Sequence, residues 1–189
     1  PIDLFKKWFA VAEKSEINDP NALSVATSNK DGIPSVRMVL LKGLSEKGFV
    51  FYTNFNSKKG KDLKENPQAS MCFHWKSLRR QVRISGKAVQ IEDKEADQYY
   101  NSRAYESRIG AWASSQSQVM KNRNEFLDKI KAYEKKYPNQ KEVPRPSHWS
   151  GWRVEPNIIE FWLEIKNRIH ERLNYKKDNG KWKREILYP

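Results

Sequence analysis

A chain of 189 residues can bury one substantial core but is short for two, so we expect a single domain spanning residues 1–189. With 38% hydrophobic residues, 31% charged residues and no apolar run long enough for a membrane span, it is predicted to be a globular, cytoplasmic protein. The net charge of +13 favours an anionic partner, and charge alone leaves nucleic acid, a membrane surface and phosphorylated small molecules open.

The first half of the chain is predicted to be one helix followed by a meander of strands. From Asp3 to Lys14, apolar residues recur at intervals of three and four, which indicates an amphipathic helix within the N-terminal segment 1–20. Ser57 can cap a short helix that continues to Glu65. The predicted strands are Ala22–Thr27, Ser35–Lys42, Phe49–Thr53, Ala69–Trp75 and Gln81–Ile91.

The second half is predicted to contain a helical insertion, 93–137, and C-terminal strands within 149–189. The helices are Asp93–Ser107 and Asn122–Tyr137, and the strands are Trp149–Val154, Asn157–Glu164, Arg168–Tyr175 and Trp182–Leu187. Many short strands without regular βαβ alternation favour a mainly β fold with flanking helices, a closed or split antiparallel barrel. Since the chain has neither a G-x-G-x-x-G motif nor a P-loop, any phosphate must be bound by side chains.

A first candidate anion site combines Arg37 and Lys42 with the end of the next strand. The two cations bracket an otherwise apolar strand, where a charge needs a partner. Tyr52 and Thr53 end the following strand, and Ser57, Lys58 and Lys59 begin the capped helix. Hydroxyl, ammonium and free backbone N–H groups can converge there on a phosphate. The alternative is that one end of the charged strand simply reaches solvent.

A second candidate is formed by Tyr99, Arg103 and Ser107, which share one face if the helix is continuous. One guanidinium and two hydroxyls suit a phosphate monoester. The alternative is a surface arginine between ordinary polar residues.

A third candidate is the alternation that would put Arg168, His170 and Arg172 on one face of a strand. Three basic groups in a row are stable beside an anion or in water, so an exposed basic edge is the alternative.

Other chemistry is less well supported. The three histidines are far apart in sequence, so no metal site is predicted. Cys72 lies in mid-strand without an activating base, and as the single cysteine it cannot form an internal disulfide. Because the sequence begins with Pro1 instead of Met, we expect upstream processing or truncation.

Taken together, these motifs resemble the pyridoxine (pyridoxamine) 5′-phosphate oxidase family. The resemblance runs from about Asn21 to the terminal Pro189, with the motifs in the family's order and spacing. They are RMVLLK at 37–42, FYTN at 51–54, SKK at 57–59, RQV at 80–82, SRIGAWASSQS at 107–117, FW at 161–162 and RIHER at 168–172.

The resemblance implies an FMN-binding split β-barrel that forms a homodimer, with FMN at the subunit interface and strands 149–189 completing the site. The residues that match the family's FMN-binding positions are Arg37, Met38, Val39, Leu40, Tyr52, Thr53, Lys58, Lys59, Gln81, Gln116, Ser117, Trp162 and Arg172. Those that match substrate-binding positions are Lys42, Tyr99, Arg103, Ser107, Arg168 and His170, of which Arg168 and His170 are the candidate catalytic residues.

The implied reaction is oxidation of pyridoxamine 5′-phosphate or pyridoxine 5′-phosphate by oxygen to pyridoxal 5′-phosphate and hydrogen peroxide, with release of ammonia when the amine is the substrate. No nucleic acid or membrane partner is implied. Lys58 departs from the family pattern, which often has Arg, and an ammonium cannot form the same bidentate contact with phosphate. Ile169 stands where Leu is usual, a volume-conserving change. Two alternatives remain: another split-barrel flavoprotein such as a flavin reductase, or a basic barrel whose aromatic residues stack on nucleic-acid bases.

Overall fold

The computed structural model describes all residues, 1–189, and contains five α-helices and nine β-strands. The helices are α1 (Ile2–Ser15), α2 (Lys58–Glu65), α3 (Asp93–Ser102), α4 (Tyr105–Ala113) and α5 (Arg123–Lys136). The strands are β1 (Ala22–Ser28), β2 (Pro34–Leu40), β3 (Gly43–Ser45), β4 (Gly48–Asn54), β5 (Gln68–Trp75), β6 (Arg80–Gln90), β7 (Trp149–Leu163), β8 (Glu171–Asp178) and β9 (Lys181–Leu187).

The strands form one sheet in the order β2-β1-β5-β6-β7-β4-β3, and β8 pairs with β7 and β9. Neighbours are antiparallel: Val25 lies opposite Arg37 in β2 and Met71 in β5. The predicted mainly β, antiparallel fold with flanking helices is confirmed. None of the helices is both long enough and apolar enough to cross a bilayer.

Two compact units divide the chain. The first unit comprises Pro1–Phe51, Asp62–Val89 and Arg153–Pro189, and the second comprises Tyr52–Lys61 and Gln90–Trp152.

An aromatic core explains how α1 packs within the first unit. The Phe5 side chain is fully buried, with its ring 4.9 Å from the Phe49 ring in β4 and 5.0 Å from the Phe73 ring in β5. Edge-on contacts of this kind add to the free energy gained by burying the rings. Asp3 in the first turn and Lys14 in the last complement the helix dipole. The predicted N-terminal helix is therefore confirmed, and it packs on the sheet.

The structure corrects the predicted helix Asp93–Ser107. Helix α3 ends at Ser102, Arg103 has extended backbone (φ −78°, ψ 152°), and α4 begins at Tyr105 and runs to Ala113. The Ser102 hydroxyl donates to the Tyr99 carbonyl at 2.8 Å, the kind of local bond by which serine competes with the helix ladder. The prediction that Tyr99, Arg103 and Ser107 share one helix face is therefore wrong.

The predicted strand Arg168–Tyr175 is also wrong at its start, because β8 begins only at Glu171. Lys166–Arg168 form a 3₁₀ turn in which Asn167 and Arg168 have left-handed backbone, with φ of 59° and 62°. Arg168, His170 and Arg172 therefore do not alternate along one strand face.

Three further strand predictions need correction. Strand β2 ends at Leu40, so Lys42 lies beyond it, and the short β3 had not been predicted. The two strands predicted on either side of Pro156 are one strand, β7. Proline can adopt the extended backbone of a strand, although it has no backbone N–H to donate.

Candidate active site

The second unit brings together Thr53, Lys59 and Gln116, all predicted to bind FMN. The Lys59 ammonium donates to Thr53 Oγ1 at 2.9 Å and to Gln116 Oε1 at 3.0 Å, although the residue is only 8% exposed. Burying an ammonium costs free energy unless its donors are satisfied. Thr53 is the second-last residue of β4, Lys59 is the second residue of α2, and Gln116 follows α4, so three separate pieces of chain build this cluster.

The start of α2 has the predicted cap. The Ser57 hydroxyl accepts from the Gly60 N–H at 3.3 Å and donates to the Asn54 carbonyl at 2.6 Å. Lys58, the first helical residue, is exposed. Ser117 is also exposed, and its left-handed φ of 68° reverses the chain directly after Gln116.

A stack of three aromatic rings lies in the same unit. The Tyr52 ring is 4.0 Å from that of Tyr99 and 5.2 Å from that of Trp149, with interplanar angles of 20° and 11°. The Arg103 guanidinium lies over the Trp149 ring, 4.7 Å from its centroid. Tyr99 and Arg103 are thus neighbours even though no helix face joins them, whereas Ser107 is exposed on α4.

Arg103 is a half-buried cation with an unused donor. Its Nη1 is buried and has no hydrogen-bond partner. Burial lowers the pKa of Arg103, and burial raises the pKa of Tyr99 while the positive charge of Arg103 opposes that rise. Because a guanidinium stays charged at neutral pH, the donor needs an acceptor, preferably an anion.

Arg145, which sequence reasoning missed, holds the aromatic stack to α3. Its side chain donates to Asp97 at 2.5 Å, to Asp93 at 2.6 Å and to the Trp149 carbonyl at 2.9 Å. Burial alone would lower the pKa of Arg145, but the bonds to the two carboxylates raise it. The Pro-rich loop that contains Arg145 gave no sequence signal beyond its charge.

In the first unit, Arg37 has the partner that its setting on an apolar strand requires. Its guanidinium donates to Thr27 Oγ1 at 2.8 Å and to Ser35 Oγ at 2.5 Å, and lies 3.9 Å from the buried Asp62 carboxylate. Burial lowers the pKa of Arg37, and the charge of Asp62 opposes that effect. Lys42 is exposed, although its backbone N–H is fixed by the Val50 carbonyl at 2.9 Å.

The apolar residues of β2 alternate in exposure. Met38 and Leu40 are 65% and 38% exposed, whereas Val39 is half-buried opposite Leu23 of β1. An exposed apolar row on an edge strand is a surface that a partner can cover.

Arg172 forms part of an ion cluster around Glu160, another residue that sequence reasoning missed. The buried Glu160 carboxylate accepts from Arg172 Nε at 2.8 Å and also from Arg83. Burial would raise the pKa of Glu160, but these two arginines lower it. A signal was present, because Glu160 interrupts the apolar run 158–162 and a buried carboxylate needs cationic partners.

Gln81 forms a hydrogen bond between uncharged side chains in the same sheet. Its Oε1 accepts from the Cys72 thiol at 3.2 Å. Burial raises the pKa of Cys72, which keeps the thiol protonated and unreactive.

His170 and Trp162 lie together at the end of β7. The two ring centroids are 4.5 Å apart, and His170 Nδ1 accepts from the Ile165 N–H at 3.3 Å. That bond orients the imidazole and leaves Nε2 as the nitrogen able to donate. Arg168 is exposed in the left-handed turn that precedes His170.

Comparisons with known proteins show which family the chain is similar to. Residues 11–137 match the family model described as pyridoxamine 5′-phosphate oxidase, and 149–189 match the one described as the pyridoxine 5′-phosphate oxidase C-terminal dimerisation region. The chain is 60% identical over its full length to a pyridoxine/pyridoxamine 5′-phosphate oxidase of Pelagibacter ubique, covering 91% of it. It is 50% identical to that of Agrobacterium fabrum, again over its full length and covering 92% of that relative.

The solved structures that are similar include two with high TM-scores. PhzG from Burkholderia lata 383, in complex with tetrahydrophenazine-1-carboxylic acid, is 33% identical with a TM-score of 0.94, and the match covers 100% of this chain and 92% of that one. A pyridoxamine 5′-phosphate oxidase-related, FMN binding protein from Nostoc punctiforme is 17% identical with a TM-score of 0.79, covering 100% and 98%. The second likeness shows the fold alone and confirms the predicted split barrel.

Proposed function

The chain belongs to the pyridoxamine 5′-phosphate oxidase family, and from that membership we infer that it oxidises pyridoxamine 5′-phosphate or pyridoxine 5′-phosphate to pyridoxal 5′-phosphate with FMN as cofactor and oxygen as acceptor. The observation that carries the substrate assignment is the Arg103 guanidinium, whose Nη1 is buried and unpaired and which lies over the Trp149 ring of the aromatic stack. A phosphorylated pyridine has a phosphate that can accept from Arg103 and a ring that can pack against the aromatic side chains.

The donor set fits FMN. The Lys59 ammonium is largely buried and donates to the oxygens of Thr53 and Gln116, so a phosphate oxygen can replace one of these acceptors. We assign FMN binding to Arg37, Met38, Val39, Leu40, Tyr52, Thr53, Lys58, Lys59, Gln81, Gln116, Ser117, Trp162 and Arg172. The ammonium of Lys58 contributes a point charge where relatives often have a guanidinium.

When bound, FMN would supply the electron chemistry, as the acceptor of a hydride equivalent from the substrate carbon that bears the amine or alcohol, with oxygen as the final acceptor. The chain's task is to hold the substrate in position. Lys42, Tyr99, Arg103 and Ser107 bind its phosphate and ring, and Arg168 and His170 position and polarise the reacting group. His170 Nε2 is free to donate because Nδ1 accepts from Ile165.

The active form is proposed to be a homodimer with FMN at the subunit interface. Support comes from the match of 149–189 to a dimerisation region and from the exposed apolar row of β2. Four FMN-binding residues of the proposed set lie in or directly beside that row, so a partner that covered it would also complete the cofactor site.

A less similar relative suggests a second substrate class. PhzG, at 33% identity, has a structure with tetrahydrophenazine-1-carboxylic acid bound, whereas the vitamer oxidases are 50–60% identical. The higher identity favours the phosphorylated vitamer.

Anaerobic reduction tests the proposal. FMN-loaded protein mixed with pyridoxamine 5′-phosphate should lose its yellow colour and regain it on admission of oxygen. Protein that stays yellow with both vitamers and bleaches with a tetrahydrophenazine acid belongs functionally with PhzG. Colourless protein that copurifies with nucleic acid would instead support the nucleic-acid-binding alternative.

A further inference from the structure

Trp149 is outside every predicted ligand set, yet it contacts two substrate-set residues. It is 7% exposed, and its ring lies parallel to that of Tyr99, with an interplanar angle of 9° and centroids 6.2 Å apart. The Arg103 guanidinium lies over the Trp149 ring, 4.7 Å from the ring centroid. The indole face offers the strongest cation–π attraction among natural side chains.

Arg103 needs such a support because its backbone does not hold it in a helix. The residue lies in the extended link between α3 and α4, where a long side chain has several rotamers of similar energy. The ring faces of Trp149 and Tyr100 lie beneath its guanidinium, at 4.7 Å and 5.9 Å. A ring face attracts the charge without accepting an in-plane N–H, so the Nη1 donor remains available.

Trp149 is itself held firmly. Its backbone N–H donates to the Pro146 carbonyl at 2.9 Å. Its backbone carbonyl accepts from Arg145, which also donates to Asp93 and Asp97 of α3. The same helix carries Tyr99. The loop and the helix are therefore locked together, and the indole face is fixed before any ligand arrives.

We propose that Trp149 is a positioning residue that sets selectivity for phosphorylated substrates, by holding the Arg103 guanidinium in place to bind the substrate phosphate. This inference rests on the proposed function. It predicts that losing the indole weakens binding of the phosphate group and leaves binding of the pyridine ring unchanged.

The test compares wild-type FMN-loaded enzyme with Trp149→Leu. We expect the Kd of pyridoxal 5′-phosphate to rise about tenfold, because Arg103 would lose its cation–π contact and part of its preorganisation. The Kd values of pyridoxal and of FMN should not change, and KM for pyridoxamine 5′-phosphate should rise more than kcat falls. Trp149→Phe, a milder change in case the Leu variant does not fold, should give an intermediate Kd.

Arg103→Ala provides a thermodynamic cycle. If Trp149 acts through Arg103, Trp149→Leu should add little to the loss of pyridoxal 5′-phosphate binding in the Arg103→Ala background. The matched control is Trp112→Leu, which removes another indole with a cation over its ring, Lys136 at 5.7 Å. It should leave the ratio of the two Kd values unchanged.

Three results would overturn the proposal: equal weakening of pyridoxal and pyridoxal 5′-phosphate, additive effects of the Trp149 and Arg103 variants, or the same loss of selectivity in Trp112→Leu. Inorganic phosphate is titrated in parallel by calorimetry. A wild-type enzyme that oxidises neither vitamer would refute the proposed function, and the phosphate titration would still show whether Trp149 supports the anion-binding Arg103.

Discussion

Three buried or largely buried cations of the second unit stabilise their charge in different ways. Lys59 donates to hydroxyl and amide oxygens, Arg145 to two carboxylates, and Arg103 lies over aromatic faces. Only a carboxylate neutralises a cation. Arg145 is therefore a structural link, whereas Nη1 of Arg103 remains a donor to which an anionic ligand can bind.

Arg103→Ala should raise KM for pyridoxamine 5′-phosphate by about 10- to 100-fold, the range expected for a lost charge-assisted hydrogen bond. FMN binding should be retained. Arg103→Lys should give a smaller rise in KM, since an ammonium keeps the positive charge but cannot bind the phosphate through two parallel N–H groups. Steady-state kinetics measure these KM values. Arg123→Ala, which removes an exposed arginine on α5, is the control. Loss of flavin from Arg103→Ala would show that Arg103 holds the cofactor instead.

Lys59→Met should weaken FMN binding by at least about tenfold, because the flavin phosphate loses its ammonium partner. The variant also leaves the oxygens of Thr53 and Gln116 without that donor. The Kd from quenching of flavin fluorescence is the measurement. Lys61→Met, at an exposed position of the same helix, is the matched control. Equal FMN affinities for the two variants would remove Lys59 from the cofactor site.

Glu160→Gln should lower the free energy of unfolding by about 1–3 kcal/mol at pH 7, since Arg83 and Arg172 lose their carboxylate. Because the folded-state pKa of Glu160 lies below its ordinary value of 4.5, this stabilisation is present above that value and disappears as the pH falls through the lower one.

Urea unfolding at neutral and acid pH measures the Glu160 effect, with the exposed Glu155→Gln on the same strand as control. The difference between wild type and Glu160→Gln should narrow on acidification. A difference that stayed constant down to pH values far below 4.5 would mean that the carboxylate charge contributes nothing.

The periodicity of apolar residues predicted where most helices and strands lie. The spacing of Phe5 with its neighbours located α1, and alternation located most strands, because both patterns reflect which face is buried. Breaks within elements were harder to predict. The Ser102 hydroxyl bonds the Tyr99 carbonyl at the end of α3, and Asn167 and Arg168 have left-handed backbone before β8. Composition reveals neither feature.

The candidate site was predictable to a similar degree. Residue identities came from motif resemblance, and the structure brings Thr53, Lys59 and Gln116 together as well as Tyr99 and Arg103. Arg145 and Trp149, which lie beside Tyr99 and Arg103, and Glu160, which binds Arg172, act through tertiary contacts distant in sequence. A single sequence carries little signal for such contacts.

The left-handed turn at Arg168 gives a prediction that separates stability from activity. Non-glycine residues pay about 1 kcal/mol for this backbone conformation, so Arg168→Gly should be about 1 kcal/mol more stable than Arg168→Ala. Both variants lack the guanidinium and should lose turnover equally while keeping FMN. Thermal unfolding and kcat, measured on the pair, test this. Wild-type turnover in either variant would remove Arg168 from the mechanism.

For the whole molecule, the net charge of +13 and the buried cations have one explanation if the enzyme binds two phosphorylated ligands, a flavin and a vitamer. Much of the remaining positive charge lies on exposed lysines, as in the β8–β9 hairpin, and acts as solvated surface. Burial distinguishes Lys59, Arg37 and Arg103 from this solvated surface, whereas Lys42, Lys58 and Arg168 of the proposed sets are exposed.

The most direct test is to measure hydrogen peroxide and pyridoxal 5′-phosphate together during turnover of the FMN-loaded enzyme. We predict equal amounts of both from pyridoxamine 5′-phosphate and from pyridoxine 5′-phosphate, and a much lower rate from unphosphorylated pyridoxamine. No peroxide from either phosphorylated vitamer, or equal rates with and without the phosphate, would contradict the conclusion that this chain is a phosphate-selective vitamer oxidase.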